Sequence, residues 1–491
     1  MSLFEKMRTL LCGDSQTQQQ IIISGRSDGN SLMGIPTFVA PWILDYPRKL
    51  KCNDGTDLPI RTTSTLVTGE SAYKDQIITQ QIVCAIRDGY TPVVLSGDGR
   101  EGEVFKILQT IYPESAINYI SETNSDCYAP FENISHNNIV DFFYQMVMEL
   151  QQQPGNGMLI KNYINVCVKV FFLSKSTVGN LINGQLDHMG LLIEIQRLYQ
   201  SNMISEQSRR QFESIVNSAQ SVSVTVFSVI QDYLCKMKHV FGLKPRIQIY
   251  NRNIPHIDIL NTNIQNPLSR GVDGYNFSTI NERRIIFVHV ENEVSRNLNN
   301  LPNEQCFQWY LSKTFQMEIN ARPEIRNARI LLVLENISLV MLNWFWKLID
   351  LPNCVLLLNY DDFYSKIVDS QERRELLISK MERLFFFSVM NEQSAGWVSR
   401  MFGEHDVPKV VFTDQPWREW TDILIRPRTY THDEMEKPWF STHEIQHLSN
   451  NGIVYSKRDK IFKACYLENG KVYIDKKYKG VRVNFCTFSF R

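Results

Sequence analysis

The sequence predicts an α/β fold: a parallel sheet covered by helices on both faces, interrupted by an inserted all-α domain and followed by a small C-terminal appendage. Three observations carry this prediction. Fully apolar runs of four to seven residues recur along the chain, as central parallel strands buried on both faces require. A strand, a glycine turn, a helix and a second strand succeed one another from Thr62, the βαβ pattern of a parallel sheet. Between Ile139 and Phe241 the strand signal all but vanishes and helical periodicity replaces it.

The first unit is Thr62–Gly89, TTSTLVTGESAYKDQIITQQIVCAIRDG. Ser64–Thr68 is a short apolar and β-branched run, Gly69 opens a turn, and Gln76–Arg87 carries Ile77, Ile78, Ile82, Val83 and Ile86 at helical spacing. Gly89 stops that helix. The layout is that of a phosphate-binding loop, GxxxxGK[ST], whose backbone N–H groups cradle phosphates above a helix N-terminus. The residues depart from it. Lys74 is the one candidate for the phosphate lysine, yet it follows Gly69 by five positions where the motif needs six. The second glycine is missing, Tyr73 precedes the lysine, and Asp75 stands where a Ser or Thr hydroxyl would hold Mg²⁺. Glu70 adds a further negative charge, so phosphate should be repelled. Gly69, Ser71, Lys74 and Asp75 are the candidate nucleotide-binding positions of this degenerate loop. Alone, an apolar strand followed by a glycine and a helix is ordinary α/β structure and fixes no function.

From Val93 a second strand, VVLSGDGREGEVFKIL, ends in a Gly/Asp turn and enters a helix. Helical segments then follow at Ile139–Gln151, Leu159–Leu173, Met189–Tyr199, Ser205–Ala219 and Ser221–Val240, punctuated by Pro154-Gly155-Asn156-Gly157. Ser205 has N-cap chemistry, with Glu206 in the first turn. After Gly242 the α/β pattern resumes with strands at Arg246–Ile249 and Arg284–Val290, a long helix from about Glu304 to Ile319, and strands at Arg329–Leu334, Cys354–Leu358 and Leu384–Val389. The expected organisation is therefore an N-terminal segment (1–60) leading into the sheet, a nucleotide-binding-like domain in two parts (61–138 and 243–430) around the all-α insertion (139–242), and the appendage (431–491).

Composition narrows the functional classes. The 491 residues are enough for about three domains. With 43% hydrophobic and 21% charged residues the chain reads as globular. Lys+Arg 52 balances Asp+Glu 52 with no strongly basic stripe, so nucleic-acid binding is not advertised, although a pore-lining patch would not show in a net charge. Ten singly scattered cysteines, without a CxxC pair, point to a reduced cytosolic setting rather than a zinc ribbon or a disulfide scaffold. The longest apolar stretches, near Val166–Leu173 and Leu384–Met390, fall short of the ~20 residues that span a bilayer, so a soluble protein is expected. No internal repeat is visible, and the only low-complexity tract is Gln151-Gln152-Gln153.

Taken in order, these segments resemble the TraG/TraD type IV coupling proteins, relatives of the HerA/FtsK pumps that bring substrate to type IV secretion and conjugation channels. The resemblance covers roughly Gly25 to Leu467 and is carried by the TLVTG turn at Thr65, the helical segments ISEQSRRQFESIV and SVSVTVFSVIQDYL, and RRIIFVHVENE at Arg283. RILLVLENISLV at Arg329 sits where the family has its Walker B strand, and NCVLLLNYDDFYSKI at Asn353 where it has the sensor strand. FFFSVMNEQSAGWVSRMFGE at Phe385 is similar to the family's late strand and helix. EKPWFSTHEIQHLSNNGIVYSKRDKIFKACYL at Glu436 is similar to its C-terminal segment, in which a short helix precedes a two-stranded end. The resemblance implies a RecA-like P-loop NTPase fold and a site that binds ATP with Mg²⁺. Carried over residue by residue, that site is damaged: the metal-holding aspartate becomes Glu335, the general-base glutamate becomes Asn336, and the sensor glutamine falls, to within one residue, at Tyr360. An amide cannot accept the proton of an attacking water. The resemblance also implies partners in a secretion or conjugation machine, a DNA or protein cargo, an active paralogous ATPase as companion in a homo- or hetero-oligomer, and a cytoplasmic place. The family usually carries N-terminal transmembrane helices that are not legible here, so attachment at the inner face of the membrane would come through a partner.

His443-Glu444-Ile445-Gln446-His447 spells HExxH, the pattern in which two histidines bind Zn²⁺ and a glutamate activates water. Ser441 and Glu444 form an S-x-x-E capping box, which engages the glutamate at a helix N-terminus, and Asn450, Asn451 and Gly452 end the helix after about two turns. Glu468, the nearest downstream acid of plausible spacing, sits beside Asn469-Gly470 in an expected hairpin. The motif is read as a decoy. The expectation is a non-hydrolysing adaptor or partner subunit; an active motor relying on Lys74 and Glu335 is the alternative, and a zinc hydrolase through His443 and His447 the third reading.

Overall fold

A computed structural model of the chain describes residues 49–52, 57–59, 62–71, 74–112, 117–122, 125, 128, 130–131, 134–150, 156–174, 187–237, 240, 285–290, 307–367, 371–414, 428–448, 451–456, 461–468 and 471–474. The apolar runs form strands β1 (Lys49–Cys52), β2 (Asp57–Pro59), β3 (Thr65–Thr68), β4 (Thr91–Ser96), β5 (Ile117–Ile120), β6 (Ile285–His289), β7 (Ile330–Glu335), β8 (Cys354–Tyr360) and β9 (Arg383–Phe386). A hairpin, β10 (Glu404–Asp414) with β11 (Arg428–Pro438), stands apart as its own two-stranded sheet. The chain then returns with β12 (Asn451–Ser456), β13 (Ile461–Glu468) and β14 (Lys471–Ile474).

The main sheet has 12 strands in the order β2-β1-β14-β13-β12-β9-β3-β8-β7-β4-β6-β5. From β9 to β5 every neighbouring pair is parallel. The strand that enters the glycine turn, β3, lies between β9 and β8, and β8 alone separates it from β7. This is the mostly parallel α/β sheet covered by helices that the sequence predicts, and it brings the C-terminal ends of β3, β4, β7 and β8 to one edge, where open α/β sheets carry their sites.

Strand side chains alternate between two cores, as the two-residue period of a pleated strand dictates. Val67, Val94, Phe287, Val333 and Leu357 pack beneath helices α1 (Lys74–Arg87) and α2 (Glu103–Ile111). Leu66, Leu95, Val288, Leu334 and Leu358 face the opposite side. That second core runs without a break into the helical insertion: α3 (His136–Leu150), α4 (Gly157–Ser174), α5 (His188–Gln200), α6 (Glu206–Ser218) and α7 (Gln220–Met237). Ser205 caps α6 by accepting the Ser208 N–H at 3.1 Å, as its position predicts. Helix α8 (Phe307–Ala321) joins insertion to sheet with buried polar contacts. The Tyr310 hydroxyl donates to Asp232 at 2.5 Å, Tyr233 and Thr314 share a hydrogen bond of 3.0 Å, and Tyr128 donates to Glu318. Glu318 is ion-paired with Arg322 at 2.8 Å, and both side chains are almost fully buried.

The structure departs from the sequence reading in places. Among the described residues one helix, α4, is long and apolar enough to cross a membrane by length and composition. Its Ile160, Tyr163, Ile164, Val168 and Phe171 are buried against neighbouring helices, the pattern of a core helix. The C-terminal strands form no separate layer: β12 pairs antiparallel with β9, Ile453 opposite Phe386, and extends the central sheet. Strands β1, β2, β5, β10 and β11 lack the uninterrupted apolar run that marks a central strand and were not foreseen. The strand expected at Arg246–Ile249 lies outside the described residues.

Candidate nucleotide site

The glycine turn is built around one close approach. Gly69 has φ of +98°, and a Cβ there would lie 2.7 Å from the carbonyl carbon and oxygen of Phe387 and 2.8 Å from the Ser388 oxygen. Only glycine fits. The turn is held to the sheet by its own backbone donors: the Gly69 N–H donates to the carbonyls of Tyr360 (3.2 Å) and Asp361 (3.1 Å), and the Glu70 N–H to that of Ser388 (2.8 Å). The Lys74 N–H donates to the Ser71 carbonyl at 3.2 Å. In a phosphate cradle such N–H groups aim at the ligand; here they are engaged by carbonyls of the same chain.

Lys74 opens α1 and is 4% exposed. Its Nζ lies 2.6 Å from Oδ1 of Asp361, the residue that follows β8. The Asp361 side chain is 62% exposed. Asn336, which follows β7, adopts a left-handed conformation with φ of +50°, one that Asn tolerates better than most residues. Its Nδ2 donates to Asp361 Oδ2 at 3.0 Å and to Asp98 Oδ2 at 2.7 Å, and its Oδ1 accepts the Asp361 N–H at 3.0 Å. Burial pushes the Asp361 carboxyl up, but the hydrogen bond and charge of Lys74, with the Asn336 amide, outweigh it and hold the group below the ordinary carboxylate value.

Glu335 ends β7 and is 1% exposed. Its Oε2 accepts from the Ser96 hydroxyl at 2.5 Å, and its Oε1 from the Val104 N–H at 3.1 Å and Asn359 Nδ2 at 3.3 Å. Gly102, at the N-cap of α2, offers no side chain to that helix end; Glu335 reaches across from β7 and caps it instead. A Cβ on Gly102 would fall 2.5 Å from Glu335 Oε2. Ser96 also accepts the N–H groups of Asp98 (3.1 Å) and Gly99 (2.9 Å), which fixes the Gly/Asp turn. Burial raises the Glu335 carboxyl above its ordinary value; the Ser96 and Val104 donors oppose the shift and the charge of Asp98 adds to it.

Glu103, in the first turn of α2, faces Asp75 in the first turn of α1. Burial, then the hydrogen bond and charge of Asp75, push the Glu103 carboxyl up to about 8, with Lys74 opposing.

The sheet edge thus brings Gly69, Lys74, Asp75, Glu335 and Asn336 together, with Ser71 contributing a carbonyl. Tyr360, the expected sensor position, is not among them: it is fully buried on the insertion side of the sheet, its ring 5.3 Å from that of Phe363. Its neighbours Asn359 and Asp361 reach the site, because alternate residues of β8 point to opposite faces. Sequence reasoning missed Asp98 and Glu103, while Asp361 lies within one residue of the expected sensor position. All three follow a strand in acid-bearing segments, GDGREGE and YDD, and that placement was the available signal.

At the HExxH segment, Glu444 is engaged in the capping box: Ser441 Oγ accepts the Glu444 N–H at 3.2 Å and Glu444 Oε2 accepts the Ser441 N–H at 2.9 Å. The helix, Thr442–Gln446, is shorter than the expected two turns. The His443 and His447 rings stack with centroids 4.2 Å apart, and His447 Nδ1 donates to the His443 carbonyl at 2.9 Å. Among the described residues, no group of three or more His, Cys, Asp or Glu side chains is disposed to hold a metal ion.

No family model matches the chain, and no curated protein matches it. Among solved structures it is similar to the plasmid coupling protein TrwB in complex with the non-hydrolysable GTP analogue GDPNP, with 13% identity over 88% of this chain and 91% of that chain and a TM-score of 0.42. It is similar to the unbound bacterial conjugative coupling protein TrwBdeltaN70, at 11% identity, 87% and 88% coverage and a TM-score of 0.38. It is also similar to VirB4 of Thermoanaerobacter pseudethanolicus, at 9% identity, 87% and 95% coverage and a TM-score of 0.36.

Proposed function

We propose that this chain is a catalytically degenerate ATPase-fold component of a type IV secretion or conjugative transfer machine, acting as a substrate adaptor or as the partner of an active ATPase subunit. The observation that carries the degenerate half is the engagement of Lys74 by Asp361 at 2.6 Å, with an amide, Asn336, where a general base would stand. Phosphoryl transfer relies on a phosphate cradle, a bound metal and a residue that orients or deprotonates the nucleophile. Here the N–H groups of Gly69, Glu70 and Lys74 are bonded to carbonyls, Asp75 faces Glu103, and Asn336 bridges two carboxylates. These residues do not fit ATP with Mg²⁺. The secretion half is supported by the ordered segments from TLVTG at Thr65 to the C-terminal run at Glu436. In this role the helical insertion presents to DNA or protein cargo, and the chain works in the cytoplasm, held at the inner face of the membrane by its partner.

A motor reading has one observation in its favour: Lys74 and Glu335 lie at the same sheet edge, close enough for the ammonium to act on the carboxyl. Binding and hydrolysis of Mg²⁺-ATP by the purified protein, followed by calorimetry and phosphate release, separate the two. The adaptor reading expects no turnover. Turnover that disappears in Lys74→Ala overturns it in favour of the motor.

A further inference from the structure

We propose that the Lys74–Asp361 ion pair is an autoinhibitory contact: Asp361 supplies from within the chain the negative charge that a phosphate oxygen would otherwise bring to Lys74, and Asn336 positions it. The inference rests on the reading of this loop as a degenerate phosphate cradle. Its basis is the asymmetry of the pair. The Lys74 side chain is 5% exposed and that of Asp361 62% exposed. A buried ammonium requires a counter-charge, whereas a carboxylate that is mostly in water does not. The lysine therefore depends on the aspartate far more than the reverse, and an anion arriving at the mouth of the site competes with Asp361 and not merely with solvent.

The neighbouring acids are otherwise engaged and do not stand in for Asp361. Glu335 is turned to Ser96 and Val104, Asp98 takes the Asn336 amide, and Asp75 faces the Glu103 carboxyl. Asn336 grips Asp361 at two points, its Nδ2 on the carboxylate and its Oδ1 on the backbone N–H. The position that would carry a base in a hydrolytic site is a positioning residue in this one.

The test is pyrophosphate binding by calorimetry to the full-length wild type, Asp361→Asn, Asp361→Ser and the double variant Lys74→Ala/Asp361→Asn, each first shown to melt cooperatively. Asp361 is exposed enough that two different substitutions guard against loss of fold. Removing the carboxylate is expected to tighten pyrophosphate binding by about tenfold or more, the equivalent of one like charge withdrawn from the anion, and the double variant is expected to lose the gain. Unchanged affinity in both single variants, or a gain that survives loss of Lys74, overturns the inference. These outcomes are separable from the parent reading: an inert wild type with no gain in Asp361→Asn refutes only the autoinhibitory contact, whereas ATP turnover dependent on Lys74 refutes the adaptor.

Discussion

Replacing Asn336 by aspartate keeps the side-chain shape and puts a carboxylate oxygen where the amide nitrogen now donates to Asp98 at 2.7 Å and Asp361 at 3.0 Å. The left-handed backbone is no obstacle, since Asp and Asn both tolerate it. Two hydrogen bonds to charged acceptors are lost, at about 1.5–3 kcal/mol each. An ionised replacement would also repel both carboxylates, so the new carboxyl takes up a proton; holding an aspartate neutral at pH 7 against its ordinary value of about 3.9 costs about 4 kcal/mol. That proton restores one of the two donor contacts, so one charged hydrogen bond and the cost of the proton remain. N336D is therefore expected to lose up to about 6 kcal/mol of stability at neutral pH. Its new carboxyl has a folded-state pKa above the unfolded one, so the deficit is smallest near pH 4 and grows as pH rises. Chemical denaturation of wild type and variant at pH 5 and pH 7.5 measures it. A variant as stable as wild type at pH 7.5, or a deficit equal at the two pH values, would refute the picture of an amide donating to both Asp98 and Asp361.

Other perturbations read other parts of the molecule. Gly69→Ala introduces a left-handed alanine, itself about 1–2 kcal/mol unfavourable, and drives its methyl into the backbone of Phe387 and Ser388; a lower melting temperature is expected. Arg322→Met removes the ion pair of the fully buried Glu318, and thermal denaturation should show a loss of about 3 kcal/mol. Glu103 holds its proton in the folded state up to about 8, so its contribution is present below its unfolded value of 4.5 and is lost as pH rises through about 8. Glu103→Gln should flatten the fall in stability across that window, whereas an unchanged pH profile would show that the carboxyl is not protonated. Asp361 acts in the opposite sense, its contribution being lost as pH falls through the carboxylate range.

The α/β class, the helical insertion and the turn at Gly69 were legible because they are written in local periodicity and local turn chemistry. A strand buried on both faces needs an apolar run, such as Ile330–Glu335, wherever it sits in the sheet. Likewise the Ser205 cap and the Ser441/Glu444 capping box follow from side chains reaching backbone groups within one helical turn. The edge strands were harder to see, since β5 carries Asn118 and Tyr119 and β1 two lysines, which breaks the apolar run.

The sequence by itself determined that the turn after Gly69 departs from the phosphate-loop pattern, with no second glycine before Lys74 and an acid, Asp75, after it. It did not reveal what those residues do instead. Lys74 and Asp361 are 287 positions apart, Asn336 and Asp98 238, and Ser96 and Glu335 239. Sheet order decided their meeting, by placing β8 between β3 and β7 and β4 beside β7, so that turns remote in sequence converge at one edge. Periodicity fixes which face of a strand a residue occupies, and it carries no information about which strand lies next to it; that is settled by the packing of the whole sheet, and with it the identity of the counter-ion that Lys74 holds.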